Sequence, residues 1–380
     1  MKRATSAVLF TSVLVDMIGF GIVIPVLPFY ATSFGASPFQ VTLLFAAFSA
    51  MQMVATPLWG RISDKSGRRP LLIAGLVASA VSHLIFGLSN TLWLLFASRL
   101  AAGAAAGLGF MVGPAIGGIA SRWGLGFPGY VAATVAAINA VLAFFLLPES
   151  RSREDSRRTG RTETDTLAGW LAAMARFPIS LMMVVYFLAI SSFSGLTAVL
   201  ALFLEARFAV NAQDIGFVFT IAGGATVVVR GLFLGRLVRR YGEKTVVRIG
   251  AFALLVSLAA MPLIPNAWWS GPMVILYAFG AGTLFPTLAT LVSFAANRES
   301  QGAILGGSQF VGGLGRVTGP IWFGLLFQSV RPGSPFVVGA VLVAASWLMA
   351  SRIPASLRPR RPGTSSPITE AVESQTLAPE

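Results

Sequence analysis

A single carboxylate stands inside an otherwise apolar stretch near the start of the chain. Asp16 lies in a run that continues without another charge to Phe34. A charged side chain at the centre of a bilayer costs about 2.5–3.5 kcal/mol on insertion scales, so an acid there needs a partner, a proton or a cation. Because burial disfavours the charged form of a carboxyl group, Asp16 could gain and lose a proton inside a membrane. The alternative is a structural acid bonded to nearby backbone.

Other reactive groups are scarce. The chain has no cysteine, and His83 is its one histidine. A disulfide framework and a thiolate metal site are therefore excluded, and nucleophilic or metal catalysis has few groups to use. We expect a protein that is not an enzyme and that holds no cofactor and no metal. His83, next to Ser82, is either a proton relay or a neutral histidine packed in a core.

The composition places these residues in a membrane. Hydrophobic residues make up 55% of the 380 residues and charged residues only 11%, which is too few polar groups to cover a water-soluble globule. The net charge of +14 could indicate nucleic acid, but the basic residues fall in short links between apolar runs. That distribution is typical of loops facing the cytosol and anionic lipid. We therefore expect the lipid bilayer as a partner, and no nucleic acid.

The apolar runs define the elements that must position these residues. A membrane-spanning helix needs about 20 largely apolar residues. Eleven runs approach that length, at 7–33, 39–59, 71–88, 92–120, 128–147, 179–203, 215–235, 246–264, 271–296, 303–328 and 335–352. The sequence predicts an all-α integral membrane protein with a shortened bundle at 1–148 and a second bundle at 178–353. Residues 149–177 form a charged linker, and residues 354–380 form a tail whose composition is typical of disorder.

Two short basic segments indicate that the bundles are related. Residues 60–70 (GRISDKSGRRP) and residues 235–244 (GRLVRRYGEK) each lie between two apolar runs and begin 175 positions apart. Such an internal repeat in an apolar chain is common among secondary transporters. In the first segment, two glycines permit a tight turn and an aspartate could cap a helix, while the basic residues favour the cytosol. We interpret both segments as cytosolic loops.

The basic residues also set an orientation. If the N-terminus, both basic segments, the linker and the tail are cytosolic, most of the 28 Lys and Arg residues lie on the inner side. Arg122, Arg207 and Arg331 would then face outward. The positive-inside rule favours this arrangement. We expect a multi-pass protein of the inner membrane with both termini in the cytosol.

The halves differ in length at one place. A Gly-Pro pair at 113–114 has an echo at 319–320, yet the first lies 53 residues after Gly60 and the second 84 residues after Gly235. The first half is thus short by about 31 residues, which is about one span with its loop. We expect residues 92–120 to form a single long helix in which the fourth and fifth spans are fused. If they instead leave and return to one face, each arm reaches only ~22 Å, less than the ~30 Å hydrocarbon core.

These segments resemble the major facilitator superfamily and, within it, the drug/proton antiporters that include tetracycline efflux pumps. Residues 60–70 are similar to the superfamily's hinge motif, and residues 16–28 (DMIGFGIVIPVLP) look like the first-span motif of the drug-efflux group. Residues 99–103 (RLAAG) are similar to the start of the fourth-span arginine motif. One further set of residues resembles the antiporter motif of the fifth span: Gly109, Gly113, Pro114, Gly117 and Gly118.

The resemblance implies a monomer of two helical bundles that carries small amphipathic molecules or drugs outward in exchange for protons. Asp16 would carry the proton, and Arg99 would be its counter-charge, unless Arg99 is an interfacial arginine that extends to the membrane surface. The antiporter helix would seal the cavity against leak. The cytosolic gate would consist of Gly60, Asp64, Gly67, Arg68 and Arg69.

Polar and aromatic side chains within the spans are candidates for a substrate cavity. They are Gln52, Asn139, Gln309, Tyr30, Tyr186 and Phe193, together with Tyr277 and Trp322. Two rival functions stay open. A shortened chain could be an inactive deletion derivative of such a transporter, or a membrane sensor that keeps the fold. An integral-membrane enzyme is disfavoured because no His, Cys or paired-acid cluster is present in the sequence.

Overall fold

The computed structural model describes residues 21–66, 68–106, 124, 126–146, 172–296, 300–354 and 357. Regular structure in these ranges is helical and includes no β-strand, so the all-α prediction is confirmed. The α-helices of the described chain are α1 Leu27–Ser33, α2 Pro38–Ser66, α3 Arg68–Gly87, α4 Leu92–Ala105, α5 Phe127–Leu146, α6 Ile179–Phe208, α7 Ala212–Val228, α8 Leu234–Tyr241, α9 Glu243–Ala260, α10 Ser270–Ala295, α11 Gln301–Ser329 and α12 Ser334–Ala350.

Six helical stretches of the described chain are long and apolar enough to cross a membrane. They are Pro38–Trp59, Ile179–Phe208, Ala212–Tyr241, Glu243–Leu263, Ala267–Ala295 and Gln301–Ser329. Shorter apolar helices lie at Ile73–Gly87, Leu92–Ala105, Phe127–Val141 and Ser334–Ala350. Each of these helices falls on a run that the sequence predicts as a span. In the stretch Ala212–Tyr241, α7 continues through a π-helical turn at Val229–Phe233 into α8.

The same pattern of helix neighbours occurs twice. In the first half α3 packs against α4 and α5, and α2 packs against α4. In the second half α9 packs against α10 and α12, and α7 packs against α10. This correspondence supports the internal repeat that the two basic segments indicate. The halves meet chiefly along α2 and α11, and α11 also packs against α6.

The two basic segments are not loops, and this part of the prediction is wrong. Residues 60–66 continue α2 as helix, and α3 begins at Arg68. In the repeat, Leu234–Tyr241 is the helix α8, and the chain turns at Gly242 with a φ of 75°. Arginine and lysine are good helix formers, so the helices extend beyond their apolar part. Only the turn itself needs the positive φ that glycine adopts readily.

The prediction of a single helix over residues 92–120 is also wrong. Helix α4 ends at Ala105, and Ala106 has an extended ψ of 125°. A Cβ on Gly75 of α3 would lie 3.8 Å from the Ala105 carbonyl oxygen, so α4 ends at the level of Gly75. From Gly75, α3 runs seven residues further, to Arg68, which is about 10 Å at 1.5 Å per residue. Helix α4 therefore stops well short of the end of α3.

Helix α5 returns the chain to the end where α3 begins. A Cβ on Gly129, in the first turn of α5, would lie 2.5 Å from the Gly87 nitrogen at the end of α3. Ala140 of α5 packs against Leu76 and Ile73, so α5 runs antiparallel to α3. We call the end of the bundles where α2 ends and α3 begins the hinge end, and the opposite end the far end. Both α4 and α5 start at the far end.

The end of the predicted linker belongs to the second bundle. Residues 172–175 are helical, and Met174 lies against Gly307 of α11, where a Cβ would be 2.4 Å from its sulfur. Ala173 is buried beside it. The packed part of the second half therefore begins before residue 178. The rest of the linker up to residue 171, and the tail from 358, lie outside the described residues.

Candidate functional site

The two bundles are closed against each other at the far end. The Phe39 N–H donates to Gln328 Oε1 at 3.1 Å. A Cβ on Gly324 of α11 would lie 1.9 Å from Thr42 Oγ1, so the helix backbones approach closely there. Further along α2, a Cβ on Gly313 would lie 3.3 Å from the Met53 Cβ. Helices α2 and α11 are therefore in contact from the far end to the level of Met53.

Toward the hinge end the same two helices separate. Gly306 lies two turns of α11 before Gly313, on the same face, and a Cβ there would meet no atom within 4 Å. Gly302, one turn further, also faces open space. On α2, Pro57 lies one turn after Met53 on the same face and is exposed. The groove between the bundles is thus closed at the far end and open at the hinge end.

An aromatic cluster lines the second bundle beside this groove. Phe193 of α6 stacks on Tyr277 of α10, with ring centroids 4.8 Å apart and planes at 2°. Phe285 of α10 meets Phe193 and Tyr186 edge to face, at 5.4 Å and 5.7 Å. Offset-stacked and edge-to-face contacts of this kind hold rings in fixed orientations. Tyr186 also lies against Gly312 of α11, which brings the cluster to the helix that lines the groove.

A small apolar cavity lies behind the aromatic cluster, between α6, α7 and α10. Its walls include Phe193, Phe219, Val274 and Tyr277, and Thr197 contributes a hydroxyl that lies 3.1 Å from the Tyr277 hydroxyl. The cavity is about 20 Å³, enough for a single water molecule. A drug-sized molecule would need several hundred Å³. Binding such a molecule would therefore require these helices to move apart.

Polar side chains join α6 and α11 next to the aromatic residues. Trp322 Nε1 donates to Ser191 Oγ at 3.0 Å, and Ser191 Oγ lies 3.5 Å from Thr318 Oγ1. Ser194 Oγ donates to the Arg316 carbonyl oxygen at 3.2 Å. At Gly319, a Cβ would be 2.2 Å from the Ser191 carbonyl oxygen. The Gly-Pro segment of the second half therefore serves close packing of two helices.

In the first bundle, Arg99 is buried, with 3% of its surface exposed. Its Nε donates to Ser98 Oγ at 3.4 Å, and its Cζ lies 5.0 Å from the ring centroid of Phe86. Phe86 is in the last turn of α3, whose carbonyl end is partly negative and favours a cation. The Nη2 atom has no hydrogen-bond partner in the described part of the chain. The Arg99 side chain is therefore packed inside the first bundle.

The remaining cavity candidates do not gather at one place. Tyr30 donates to the Ser89 carbonyl oxygen and meets Phe86 edge to face at 5.2 Å, inside the first bundle. Asn139 is buried on α5. Gln52 of α2 is half-buried and Gln309 of α11 is exposed. Of the predicted set, only Tyr186 and Phe193 join one cluster, together with Tyr277.

Several predicted site residues cannot be placed. The proton carrier and the antiporter motif lie outside the described residues, as does one glycine of the gate; these are Asp16, Gly109, Gly113, Pro114, Gly117, Gly118 and Gly67. The backbone of Gly60 and Asp64 belongs to α2, and that of Arg68 and Arg69 to α3. Within the described ranges, no group of three or more His, Cys, Asp or Glu side chains could hold a metal ion.

The sequence interpretation missed the partners of the residues that it named. Phe285 completes the aromatic cluster, and Ser191 and Thr318 form the polar link between α6 and α11. Phe285 precedes Pro286 inside α10, and a proline within a helix commonly bends it. His83 is buried on α3 one turn before Phe86, whose ring faces the Arg99 guanidinium. The sequence analysis linked His83 only to Ser82 and gave no indication of this arrangement with Arg99.

Comparison with known proteins gives the family. A sequence profile of the Major Facilitator Superfamily matches residues 9–110 and 102–320. The tetracycline resistance protein, class D, of Salmonella ordonez is 29% identical over 377 residues, covering 90% of this chain and 94% of that protein. Multidrug resistance protein 2 of Bacillus subtilis (strain 168) is 27% identical over 360 residues, covering 86% of this chain and 90% of that protein.

Solved structures share the fold. The human organic anion transporter MFSD10 (TETRAN) superposes with a TM-score of 0.68 at 21% identity, covering 92% of this chain and 99% of that chain. The nucleoside transporter NupG gives a TM-score of 0.70 at 14% identity, covering 92% of this chain and 97% of that chain. At these identities the likeness concerns the architecture alone.

Proposed function

Because this chain belongs to the Major Facilitator Superfamily, it is an integral membrane transporter and not an enzyme, and we propose that it exports small amphipathic molecules in exchange for protons. Relatives named for resistance to tetracycline and to multiple drugs support an export direction and an amphipathic organic substrate. We assign the chain to the cytoplasmic membrane, with both termini in the cytosol, and expect it to act as a monomer.

One observation carries the proposal. The groove between the bundles is closed at the far end, where Phe39 meets Gln328, and open at the hinge end, where Gly306 faces free space. The hinge end carries the basic segments and is therefore assigned to the cytosol. A groove open on one side is what alternating access of two bundles requires in its inward-facing state. The cluster of Tyr186, Phe193 and Phe285 supplies an aromatic surface for a substrate that enters it.

We assign proton coupling to Asp16 and Arg99. A buried guanidinium with an unpaired N–H is costly unless an opposite charge compensates it. In this assignment the ionised Asp16 carboxylate compensates the charge of Arg99, and protonation of Asp16 removes that compensation. The side chain of Asp16 lies outside the described residues, so the support comes from the burial and the unpaired Nη2 of Arg99.

The gate and the seal complete the proposed cycle. Gly60, Asp64, Arg68 and Arg69 stand at the hinge end, where the halves are apart. In the proposed cycle their contacts, together with those of Gly67, would form when the cytosolic side closes. The segment with Gly109, Gly113 and Pro114 would seal the cavity by close helix packing. Its echo in the second half supports that role, because Gly315 and Gly319 bring α11 against α6.

A non-transporting derivative is the second candidate, and one observation favours it. Helix α4 has 14 residues and spans about 21 Å, whereas the hydrocarbon core is about 30 Å thick. The first bundle is therefore shorter at this place than the second, where α10 has 26 residues. A fold kept without a complete cycle would suit a sensor or an inactive deletion product.

Transport by purified protein separates these candidates. The full chain is reconstituted in liposomes, an inward-directed or outward-directed pH gradient is imposed, and movement of cationic, zwitterionic, neutral and anionic fluorescent amphipaths is followed. We expect gradient-driven movement above that of empty liposomes, abolished in Asp16→Asn. The control is Asp214→Asn, an exposed acid in the first turn of α7, which should transport as the parent does.

The outcomes of this assay are distinct. Undiminished pH-driven transport by Asp16→Asn rejects that residue as the proton carrier. No movement of any probe by the parent chain, with the protein folded and inserted, rejects export and favours the non-transporting derivative.

A further inference from the structure

The hydrogen bonds of α3 assign the proton of its one histidine. Ser82 Oγ donates its hydrogen to the Ser79 carbonyl oxygen at 2.7 Å. The same oxygen lies 3.4 Å from His83 Nδ1, and it can only accept there, because its hydrogen is already used. This arrangement favours a proton on Nδ1, and we assign that tautomer to the neutral imidazole. Nε2 then has a lone pair and no hydrogen. It has no hydrogen-bond partner among the described residues, and the His83 residue is only 3% exposed.

A free donor lies near this free acceptor. Arg99 Nη2 is buried and has no hydrogen-bond partner among the described residues. The two helices are tied together at this level by the Arg99 guanidinium over Phe86, three residues after His83 on α3. Buried polar atoms are rarely left without partners, so two of them near one another point to a ligand.

The chemistry of the two atoms defines that ligand. Arg99 needs an acceptor that can compensate one positive charge, and His83 Nε2 needs a donor. A carboxyl group with its proton meets both requirements, since one oxygen accepts from the guanidinium while the O–H donates to the imidazole. A bare cation would satisfy His83 but would be repelled by Arg99. A neutral amide could make both hydrogen bonds but would leave the charge of Arg99 uncompensated.

We propose that Arg99 and His83 form a buried site that takes up a carboxyl group together with its proton, and that the solutes of this chain include amphipathic carboxylic acids. In the bound state the O–H bond of the acid is broken and an N–H bond on Nε2 is formed. The carboxylate then lies between the guanidinium and the imidazolium. The acid arrives uncharged, so the net charge of the site does not change. The claim about solutes rests on the proposed transport function. The claim that Arg99 and His83 form a carboxyl site does not depend on transport.

The other titratable groups around His83 do not supply the missing carboxyl group. Helix α4 contributes Arg99 as its one charged residue, and the segment of α2 from 38 to 59 contains none. Helix α1 contributes Tyr30, whose hydroxyl donates to the Ser89 carbonyl oxygen. Helix α5 contributes Tyr130, which lies against Gly87. No acid faces the site from these described helices, so the carboxyl group comes from a solute or from Asp16.

Binding of a carboxylate probe tests the proposal. The full chain, purified with a histidine-free tag and placed in lipid nanodiscs, is titrated with 2-naphthoate at neutral pH in buffers of different ionisation enthalpy. The buffer dependence of the heat counts protons, and we expect about one taken up per naphthoate bound. His83→Gln should bind without proton uptake. Arg99→Gln should lose affinity by about 10- to 100-fold, as expected for a hydrogen bond to a charged group.

Matched controls separate this site from general effects. Arg230→Gln removes an arginine of the π-helical turn in the second half and should bind 2-naphthoate as the parent does. The probe 2-naphthamide has the same rings without an acidic proton and should cause no proton uptake. Because His83 is the one histidine, ¹⁵N-histidine labelling gives a single imidazole spectrum. We expect a proton on Nδ1 alone without probe, and protons on both nitrogens with naphthoate.

The variant Asp16→Asn identifies the source of the carboxyl group. If the parent and Asp16→Asn both bind naphthoate with proton uptake, the proposal stands with a solute as the ligand. If only Asp16→Asn binds it, the site is a carboxyl site that the chain's own acid fills, and the assignment of the solute is overturned. If neither the parent nor Asp16→Asn takes up a proton with naphthoate, the proposal of a carboxyl site is overturned. It is also overturned if His83→Gln and Arg99→Gln leave proton uptake unchanged. Intact dye export alongside such a failure would leave the proposed function standing.

Discussion

Single residues decide how closely the helices of this protein approach one another. On α11, Gly319 lies against the backbone of α6, where a Cβ would be 2.2 Å from the Ser191 carbonyl oxygen. Gly306, on the same helix, faces open space at the hinge end. The two glycines share a helical backbone but differ in their neighbours. A substitution at each position therefore separates the effect of packing from that of helix propensity.

We expect Gly319→Ala to destabilise the protein by about 1–3 kcal/mol, because an added methyl group at a backbone contact forces α6 and α11 apart. Gly306→Ala should be neutral or stabilising by up to about 1 kcal/mol, since alanine favours helix and has room there. Melting temperatures of both variants in one detergent check this. Equal melting temperatures would contradict the close contact at Gly319.

The residue scale also shows what a sequence can indicate about a site. Arg99 stands out as a charge within an apolar run, and in the structure it is buried. Tyr186 and Phe193 stand out as aromatic residues within a span, and they do join one cluster. Their partner Phe285 lies about 90 positions later and has no local pattern that links it to them. Which faces of distant helices meet depends on packing between them, which periodicity along one helix does not encode.

At the scale of elements, the spans follow from apolar length, but their ends do not. Polar, glycine-bounded segments predict loops, yet residues 60–66 and Leu234–Tyr241 are helical. A helix that leaves the membrane keeps its backbone hydrogen bonds in water when its residues are good helix formers. Helix α4 shows the opposite case, because it ends at Ala105 within a Gly/Ala-rich stretch that has no turn-forming polar residues.

The contact of α2 with α11 gives a prediction for these elements. A Cβ on Gly313 would lie 3.3 Å from the Met53 Cβ, near the separation of about 3.5–4.5 Å that a disulfide needs. The chain has no cysteine, so the pair Met53→Cys and Gly313→Cys can be oxidised without side reactions. We expect the disulfide to form readily and to hold the halves together, which should block transport until a reductant is added.

The pair Thr56→Cys and Gly306→Cys is the control for that cross-link. It lies on the same two helices beyond the last close contact, where Gly306 has no neighbour within 4 Å. Oxidation should give little disulfide there in the inward-open state. Rapid cross-linking of the control pair, or transport that continues through the Met53–Gly313 disulfide, would argue against an α2–α11 contact that opens during transport.

For the whole molecule, the two halves must share one orientation in the membrane. Exposed positions are available at both ends of both halves: Ile62 and Thr245 at the hinge end, and Asn90 and Asn266 at the far end. Single cysteines at Ile62 and Thr245 should react with an impermeant maleimide only from the cytosol, because the basic residues hold that end inside. Cysteines at Asn90 and Asn266 should react only from outside. Labelling of Ile62 and Thr245 from opposite sides would refute a pair of halves with a common orientation.

The unequal spacing of the repeated motifs in the two halves leads to the last prediction, which concerns the completeness of the molecule. In the second half, α6 packs against α11 at Gly312, Gly315 and Gly319, and α11 also meets α2 of the other bundle. The repeat assigns the equivalent position in the first half to the segment with Gly109 and Gly113, which follows a helix that ends at Ala105. Between Ala105 and Gly126 the chain has to return from the level of Gly75 to that of Gly87, and this leaves too few residues for two complete crossings.

We therefore expect transport by this chain to be weak, and to rise about tenfold or more when about 31 residues of a homologous span and loop are inserted after Gly107, because the insertion restores two helices of ~30 Å. A scrambled polar insertion of equal length at the same position is the control and should not raise transport. The comparison uses equal amounts of inserted protein and the same pH gradient. Strong export by the chain as it stands, unchanged by the insertion, would show that the first bundle is complete without the additional crossing. In that case the shorter spacing of the repeated motifs in the first half, 53 residues against 84 in the second, would reflect a different packing of the helices and not a missing helix.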